Sequence, residues 1–280
     1  MLSMSSVAIS LIRRLPLGKD LVLRIWNRVV RVGGPRWART YFGAEMLCDP
    51  RDIIQASILH FGVWEPALSR LLERTIRPGD VVADLGANVG YFSLLAAHCG
   101  ADVVAVEALA LTASKLSANV ARNKSRVRIV NAAVSDHRGT IQMFAAPAGN
   151  IGMSTSREDS GYPSAGEVQA LTLLDILTPE ERRRLAFVKC DIEGAEVPVV
   201  RHLLENLAEF GRLLCFEVEV SPNEEWKALF NQFIEAGFQA FLVPNNLATS
   251  WHELLYGVQD IEVRPVSSLP SVLNQKLAIV

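Results

Sequence analysis

Cysteine is scarce and unpatterned. The four in this 280-residue chain, Cys48, Cys99, Cys190 and Cys215, form no Cys-x-x-Cys pair and no zinc spacing with histidine. That argues against a disulfide framework and a structural zinc site. Three of them stand in apolar surroundings, where a free thiol behaves as a small hydrophobe, and a reduced cytoplasmic setting is expected. No apolar run approaches the roughly 18 residues needed to cross a bilayer. No basic region precedes an apolar stretch at the N-terminus, so no secretory leader is expected either. Charge of one sign is also missing: 28 Lys and Arg face 30 Asp and Glu, which leaves no global field for nucleic acid. What the chain has is apolar residues, 50% of the total with a mean hydropathy of +0.21. That is enough for a sizeable core and too much for long disordered tracts.

The neutral balance hides one asymmetry. Within residues 1–40 the cations are Arg13, Arg14, Lys19, Arg24, Arg28, Arg31, Arg36 and Arg39, against Asp20 as the only acid. Residues 21–32 place Arg24, Arg28 and Arg31 at helical spacing opposite Val22, Ile25, Trp26 and Val29, which predicts an amphipathic helix. Two uses are open to it: a lid or dimerisation helix with solvated arginines, or peripheral contact with an anionic membrane or acidic partner.

Two regimes follow along the chain. Residues 1–78 read as a helical extension or lid with one extended stretch over 39–48. The turn Arg77-Pro78-Gly79-Asp80 then opens a regular alternation that defines a catalytic domain over 79–280. Strands are expected at 81–85, 103–106, 127–134, 140–144, 186–190, 213–220, 238–243 and 257–263. Helices are expected at 89–98, 111–122, 195–207 and 223–236. The Gly/Ser/Pro-rich stretch 146–166 reads as a long loop, a candidate lid or specificity segment. Apolar strands alternating with helices predict an α/β fold, a mostly parallel sheet covered on both faces.

The most informative segment is Asp84-Leu85-Gly86-Ala87-Asn88-Val89-Gly90, which closes a strand and opens a helix. Gly86 and Gly90 let the backbone turn and approach a ligand, with Ala87 and Asn88 between them. The next strand ends at Glu107, followed by Ala108, where a nucleotide-binding α/β fold places an acid on the ribose hydroxyls. A dinucleotide fold would want Gly-x-Gly-x-x-Gly, which is not the pattern here. Asp84 at the mouth of the loop would repel a pyrophosphate. It suits a ligand with an ammonium, a sulfonium and no phosphate, and S-adenosylmethionine is that ligand.

These residues also carry a family resemblance. The run from Asp84 through Tyr91-Phe92-Ser93, then Glu107, then Ala133-Val134-Ser135-Asp136, then Val188-Lys189-Cys190-Asp191-Ile192-Glu193-Gly194-Ala195-Glu196, resembles the FkbM-type methyltransferases. Upstream, Tyr41-Phe42-Gly43-Ala44 and Phe61-Gly62-Val63-Trp64-Glu65-Pro66 are similar to that family's N-terminal pattern. Ala108 departs from the proline the family usually has after this acid. The resemblance implies a Rossmann-like, doubly wound seven-stranded sheet and methylation of hydroxyl groups, commonly on sugars and polyketide-type natural products. It adds Ala133 and Val134 to the cofactor-binding candidates.

Methyl transfer from a sulfonium is an in-line displacement, in which the protein aligns the acceptor oxygen and helps remove its proton. Candidates therefore lie at strand ends beside the cofactor loop. Lys189, Asp191 and Glu193 are the catalytic candidates, Asp191 as general base kept ionised by Lys189 and also touching the cofactor. Glu196, Glu217 and Glu219 are substrate-side candidates, with Glu217 and Glu219 on one face of the next strand. Glu65 and His60 are placed at a substrate wall, His60 being the one histidine near such a segment. Magnesium could join a carboxylate cluster and substrate oxygens, but the spacing does not demand it, and no metal site is assigned. The expected activity is S-adenosylmethionine-dependent O-methylation of a small molecule or glycoconjugate, a sugar foremost, with homo-oligomerisation open. Rival readings are N-methylation and a non-catalytic cofactor-binding module.

Overall fold

The computed structural model describes residues 33–147, 149–211, 213, 215–243, 264–268, 270 and 275–280. The basic helix expected at 21–32 and the strand expected at 257–263 lie outside the described residues.

The centre is an eight-stranded sheet in the order β12-β11-β13-β10-β9-β3-β4-β5. Its parallel part comprises β3 (Val81–Leu85), β4 (Asp102–Val106), β5 (Val127–Val130), β9 (Leu185–Cys190) and β10 (Cys215–Val220). Strand β13 (Gln275–Ile279) runs antiparallel between β10 and β11 (Ala240–Val243). The expectation was seven strands. The eighth is β12 (Arg264–Val266), a three-residue edge strand that pairs with β11. Strands β3 and β9 are buried at every position, as befits a sheet covered on both faces. On one face Val81, Ala83, Leu85, Val188, Cys190, Phe216 and Val218 form one core; on the other Val82, Val103, Phe187, Cys215 and Ala278 form a second.

The chain winds outward from β3 through β4 to β5, then returns to lay β9 beside β3. The loops that follow β3 and β9 thus meet at the point where strand order reverses, outside the carboxyl ends of the strands, where such sheets bind ligands. Helices α3 (Tyr91–His98), α4 (Ala110–Asn123), α7 (Glu196–Glu205) and α8 (Glu224–Glu235) match the expected ones within a few residues. Between them α5 (Leu173–Ile176) and α6 (Pro179–Arg184) are short and start on capping boxes at Thr172 and Thr178.

Residues 33–78 are less helical than the sequence suggests. The stretch expected to be extended over 39–48 is a hairpin of β1 (Arg36–Arg39) and β2 (Glu45–Cys48), turned through Gly43 at φ 93°. It is stitched to α4, whose Asn119 and Asn123 side chains accept the backbone N–H groups of Leu47 and Glu45. Helices α1 (Ile53–Phe61) and α2 (Pro66–Thr75) then lie on the sheet, with Ile58, Leu68 and Leu72 in the core shared with Phe187 and Cys215.

The strand expected over 127–134 is two. It breaks after β5, and β6 (Ala133–Val134) joins β7 (Gly139–Phe144) and β8 (Ser164–Leu171) in a second, three-stranded sheet. The long loop expected over 146–166 is a strap between β7 and β8 with 3-10 turns at Ile151–Met153 and Glu158–Ser160, and its last residues already belong to β8. Most of β8 is exposed, so it shows no apolar alternation to read.

Candidate active site

The loop after β3 is built around the end of β4. Gly86 has φ 77°, and the N–H groups of Gly86 and Ala87 both donate to the Val106 carbonyl, at 3.0 and 2.9 Å. Asn88, left-handed at φ 50°, donates its N–H to Glu107 Oε2 at 3.0 Å, and Glu107 Oε1 takes the N–H of Leu109 at 3.0 Å. The N–H groups of Gly86, Ala87 and Asn88 are thus already taken, and a carboxylate stands against the loop where a phosphate would be repelled. Burial pushes the Glu107 carboxyl up to about 7, against the two backbone donors that pull it down. Such a loop fits a nucleoside without phosphate, and each Glu107 oxygen keeps a lone pair for a ribose hydroxyl. Glu107→Ala is expected to weaken S-adenosylhomocysteine binding by about 1.5–3 kcal/mol, the worth of charge-assisted hydrogen bonds. Calorimetry reads this, and unchanged affinity would remove Glu107 from the site.

A cleft of roughly 990 Å³, open solvent at its mouth included, runs from this loop to the loop after β9. Gly86, Ala87, Asn88, Glu107, Ala108, Ala133 and Val134 line one half, and Lys189, Asp191 and Glu193 line the other. The strap covers it with Ile151, Gly152, Ser154 and Ser156. The strap is moored by Asp52, which caps α1 through Oδ1 and accepts the Ile151 N–H through Oδ2 at 3.0 Å, and by Thr155 Oγ1, which donates to the Glu193 carbonyl at 2.7 Å.

Below the cleft lies a row of buried charges on one face of the sheet. Asp84, Lys189 and Glu217 are in register across β3, β9 and β10. Lys189 Nζ donates to Asp191 Oδ2 at 3.2 Å, stands 4.0 Å from Asp84 Oδ1, and sits 5.3 Å over the Phe92 ring. Lys276, from β13, donates to the same Asp191 Oδ2 and to Glu65 Oε2, both at 3.1 Å, and lies 3.7 Å from Glu217 Oε1. Burial works against both ammoniums, but the surrounding carboxylates outweigh it and hold them protonated. Burial likewise works against Asp191, and Lys189 with Lys276 reverses it, so its carboxyl stays well below the usual carboxylate range.

Glu193, Glu217 and Glu219 behave in the opposite way. Glu193, at φ 56° on the cleft wall, is pushed up to about 8 by burial and then by Asp191, Glu219 and Glu196. Burial takes Glu217 and Glu219 up to about 7. Two adjacent groups on one loop, Asp191 and Glu193, are thereby split into a fixed anion and a carboxyl that titrates near neutrality.

The family model of the methyltransferase FkbM domain matches residues 84–246, more than half of the chain. The protein belongs to the FkbM methyltransferase family. Over 74 residues it is 42% identical to the 31-O-demethyl-FK506 methyltransferase FkbM of Streptomyces tacrolimicus, covering 26% of this chain and 28% of that one. Over 106 residues it is 33% identical to the 23S rRNA (uracil(1939)-C(5))-methyltransferase RlmD of Halomonas elongata, covering 37% of this chain and 22% of that one. The chain therefore spans less than a third of the length of either relative. Among solved structures, the precorrin-6y C5,15-methyltransferase of Geobacter metallireducens overlays with a TM-score of 0.41 at 12% identity, covering 77% of this chain and 90% of that one. That overlay is too loose to add to the fold, which rests on the strand order itself.

Within this FkbM-family chain, several expected site residues stand behind the cleft. Asp84 is 1% exposed and accepts the Ser93 hydroxyl at 2.6 Å, so it supports the floor and does not line the wall. Gly90 caps α3, and a Cβ there would meet Leu116 Cδ1 at 2.4 Å; its need is packing. Glu196 closes the Asp191–Gly194 loop by accepting the N–H groups of Ile192 and Gly194. Glu65, Glu217 and Glu219 belong to the charge row, and His60 is buried against Phe61 away from the cleft lining. Sequence reasoning missed Lys276 altogether. It also missed Ile54 and Trp64 on the cleft wall, although Trp64 sits in the motif that flagged Glu65.

Among the described residues no helix is long and apolar enough to cross a membrane, and no group of three or more His, Cys, Asp or Glu is placed to hold a metal ion.

Proposed function

We propose that this chain is an S-adenosylmethionine-dependent O-methyltransferase whose acceptor is an uncharged hydroxyl compound, a small molecule or glycoconjugate and foremost a sugar. Residues 79–280 form the catalytic domain in this reading, and residues up to 78 its cover. One observation carries it: a single cleft joins a phosphate-averse nucleoside loop at Glu107 to a wall where a fixed carboxylate and a titrating carboxyl stand two residues apart. Gly86, Ala87, Asn88, Glu107, Ala108, Ala133 and Val134 hold the cofactor. When bound, S-adenosylmethionine supplies a methyl group on a sulfonium that leaves as a neutral thioether.

The chain's own residues supply orientation and proton transfer. Asp191 was the expected base, but a carboxylate that two ammoniums keep strongly acidic takes a proton poorly. Both ammoniums bind Oδ2, and no described residue donates to Oδ1, which is left to orient the acceptor hydroxyl. Glu193 is the stronger base and takes the proton. A base must be deprotonated to act, so turnover rises with pH through the Glu193 value of about 8 and falls away below it. A kcat/KM profile already flat from pH 5 upward would overturn this role.

The acceptor class follows from charge. Lys189, the one Lys or Arg among the cleft-lining residues, is committed to Asp191, and Lys276 behind it to Asp191 and Glu65. Neither is left to meet a phosphate. With isotope-labelled S-adenosylmethionine, label is expected on neutral glycosides as a methoxy group, and not on sugar phosphates or RNA. Transfer to nitrogen or to an RNA base would overturn the reading. Cofactor binding with no transfer to any acceptor would favour a non-catalytic module.

A further inference from the structure

Lys276 lies outside every motif of the sequence, 85 residues from Asp191, on a strand near the end of the chain. Its side chain is 3% exposed, and the ammonium reaches three carboxylates on three separate parts of the fold: Glu65 before α2, Asp191 after β9 and Glu217 on β10. Each of the three would be left worse off without it. Glu217 is fully buried, and neither of its oxygens has a hydrogen-bond partner. Glu65 holds a left-handed backbone at φ 41°, a conformation that costs a side-chain-bearing residue free energy and that the Lys276 contact helps to offset. Asp191 would keep Lys189 alone.

We infer that Lys276 is a positioning residue for the transfer: it tethers the Asp191 carboxylate to the sheet and to the N-terminal segment, and so sets the direction in which Asp191 meets the acceptor. The inference rests on the methyltransferase reading for its consequence, but not for the tether itself. The geometry supports a division of labour between the two lysines. Lys189 joins Asp191 to the cofactor side through Asp84, whereas Lys276 joins it to Glu65. The Glu65 loop carries Trp64, which lines the cleft. One ammonium thus keeps an acid that orients the acceptor in register with an aromatic that walls it. The other charged groups facing Asp191 are Asp84 from β3, Lys189 from β9, Glu217 and Glu219 from β10, and Glu193 and Glu196 from its own loop and α7. Among these described groups Lys189 is the one cation besides Lys276 itself.

Two variants test it. Lys276→Met removes the ammonium at similar length. Lys276→Met combined with Glu217→Gln also removes the buried acid that would be left uncompensated, and covers the case in which the single variant fails to fold. Carboxyl-carbon NMR of the full chain, with the Asp191 signal assigned by Asp191→Asn, follows the titration of Asp191. Its midpoint is expected to rise by about one unit or more, as befits loss of one of two adjacent cations. On a verified acceptor kcat is expected to fall roughly ten- to a hundredfold, the scale of a displaced aligning group, with S-adenosylhomocysteine affinity little changed. An unmoved Asp191 midpoint in the double variant would overturn the tether. A moved midpoint with full kcat would reduce Lys276 to a structural ion pair and overturn its role in positioning. If the wild type methylates no acceptor, the functional reading fails on its own, and the titration still judges the tether.

Discussion

Gly86→Ala is expected to abolish measurable S-adenosylhomocysteine binding, and Gly86→Val equally so. The reason is a backbone-to-backbone approach. A Cβ at Gly86 would lie 1.9 Å from the carbonyl oxygen of Asp191 and 2.9 Å from its carbonyl carbon. Neither atom belongs to a side chain that can rotate away. Relief requires the two loops to part, and that breaks the Asp191 N–H bond to the Leu85 carbonyl at 3.1 Å, which seats the loop after β9. The left-handed φ of 77° adds about 1–2 kcal/mol for any residue with a side chain. From sequence alone such a variant would be expected to fold normally, with its defect confined to the surface of the sheet. The contact with Asp191 changes that expectation, because the clash sits where β3 and β9 leave the core. A lowered melting temperature should accompany the lost binding. Gly90→Ala is the internal control. There φ is also left-handed, at 93°, but the contact is the tip of the buried Leu116 side chain at 2.4 Å and not backbone, so a milder loss is expected. Calorimetry together with thermal melts separates the two. Near-native affinity in Gly86→Ala would mean that the loops are not apposed as described.

Glu193→Gln should lower kcat by about 10²–10⁴-fold, the usual worth of general-base assistance. Glutamine keeps the length and hydrogen-bonding capacity of the side chain, so S-adenosylhomocysteine affinity should stay within a few-fold. The pH profile gives a second readout. Wild-type turnover climbs toward a pH of about 8 as Glu193 loses its proton, and the variant should lose that limb. Asp191→Asn makes the contrast. It removes a fixed anion, leaves Lys189 and Lys276 facing a neutral amide, and should lower kcat while keeping the rise with pH. If Glu193→Gln retains full kcat on a verified acceptor, the proton goes elsewhere, and Glu219 on β10, also raised to about 7, becomes the candidate.

The parts of this site that could be read in the sequence are those in which chemistry and local structure share one short segment. The run Val81–Leu85 is an apolar strand ending in an acid, and the glycines after it mark a turn into α3. Glu107 stands where the next strand ends, and Lys189, Asp191 and Glu193 follow one another around the end of β9. What stayed hidden depends on separations that only the sheet order closes. Lys276 meets Glu65 across 211 residues, and nothing in Gln275–Ile279 marks it as more than a short apolar stretch with one cation. The second partner of Asp191 was hidden for the same reason. With Lys189 as its only visible partner it reads as a poised base, and the second ammonium, from Lys276, is what favours the proposed role of a fixed anion. Asp84 was legible as a residue and not as a position. A strand-end acid can face a ligand or the floor beneath it, and the hydrogen bond from Ser93 turns it to the floor. The β1–β2 hairpin was hidden because its turn, Thr40 to Ala44, lies inside what reads as one extended run.

A crystal structure with S-adenosylhomocysteine bound is the most direct test of the central claim, that one cleft holds the nucleoside at Glu107 and the acceptor at Asp191 and Glu193. The expected result is the ribose on the Glu107 carboxylate, with the sulfur end of the ligand pointing toward the Asp191–Gly194 loop. A nucleoside bound elsewhere, or one that leaves Glu107 uncontacted, would contradict the account.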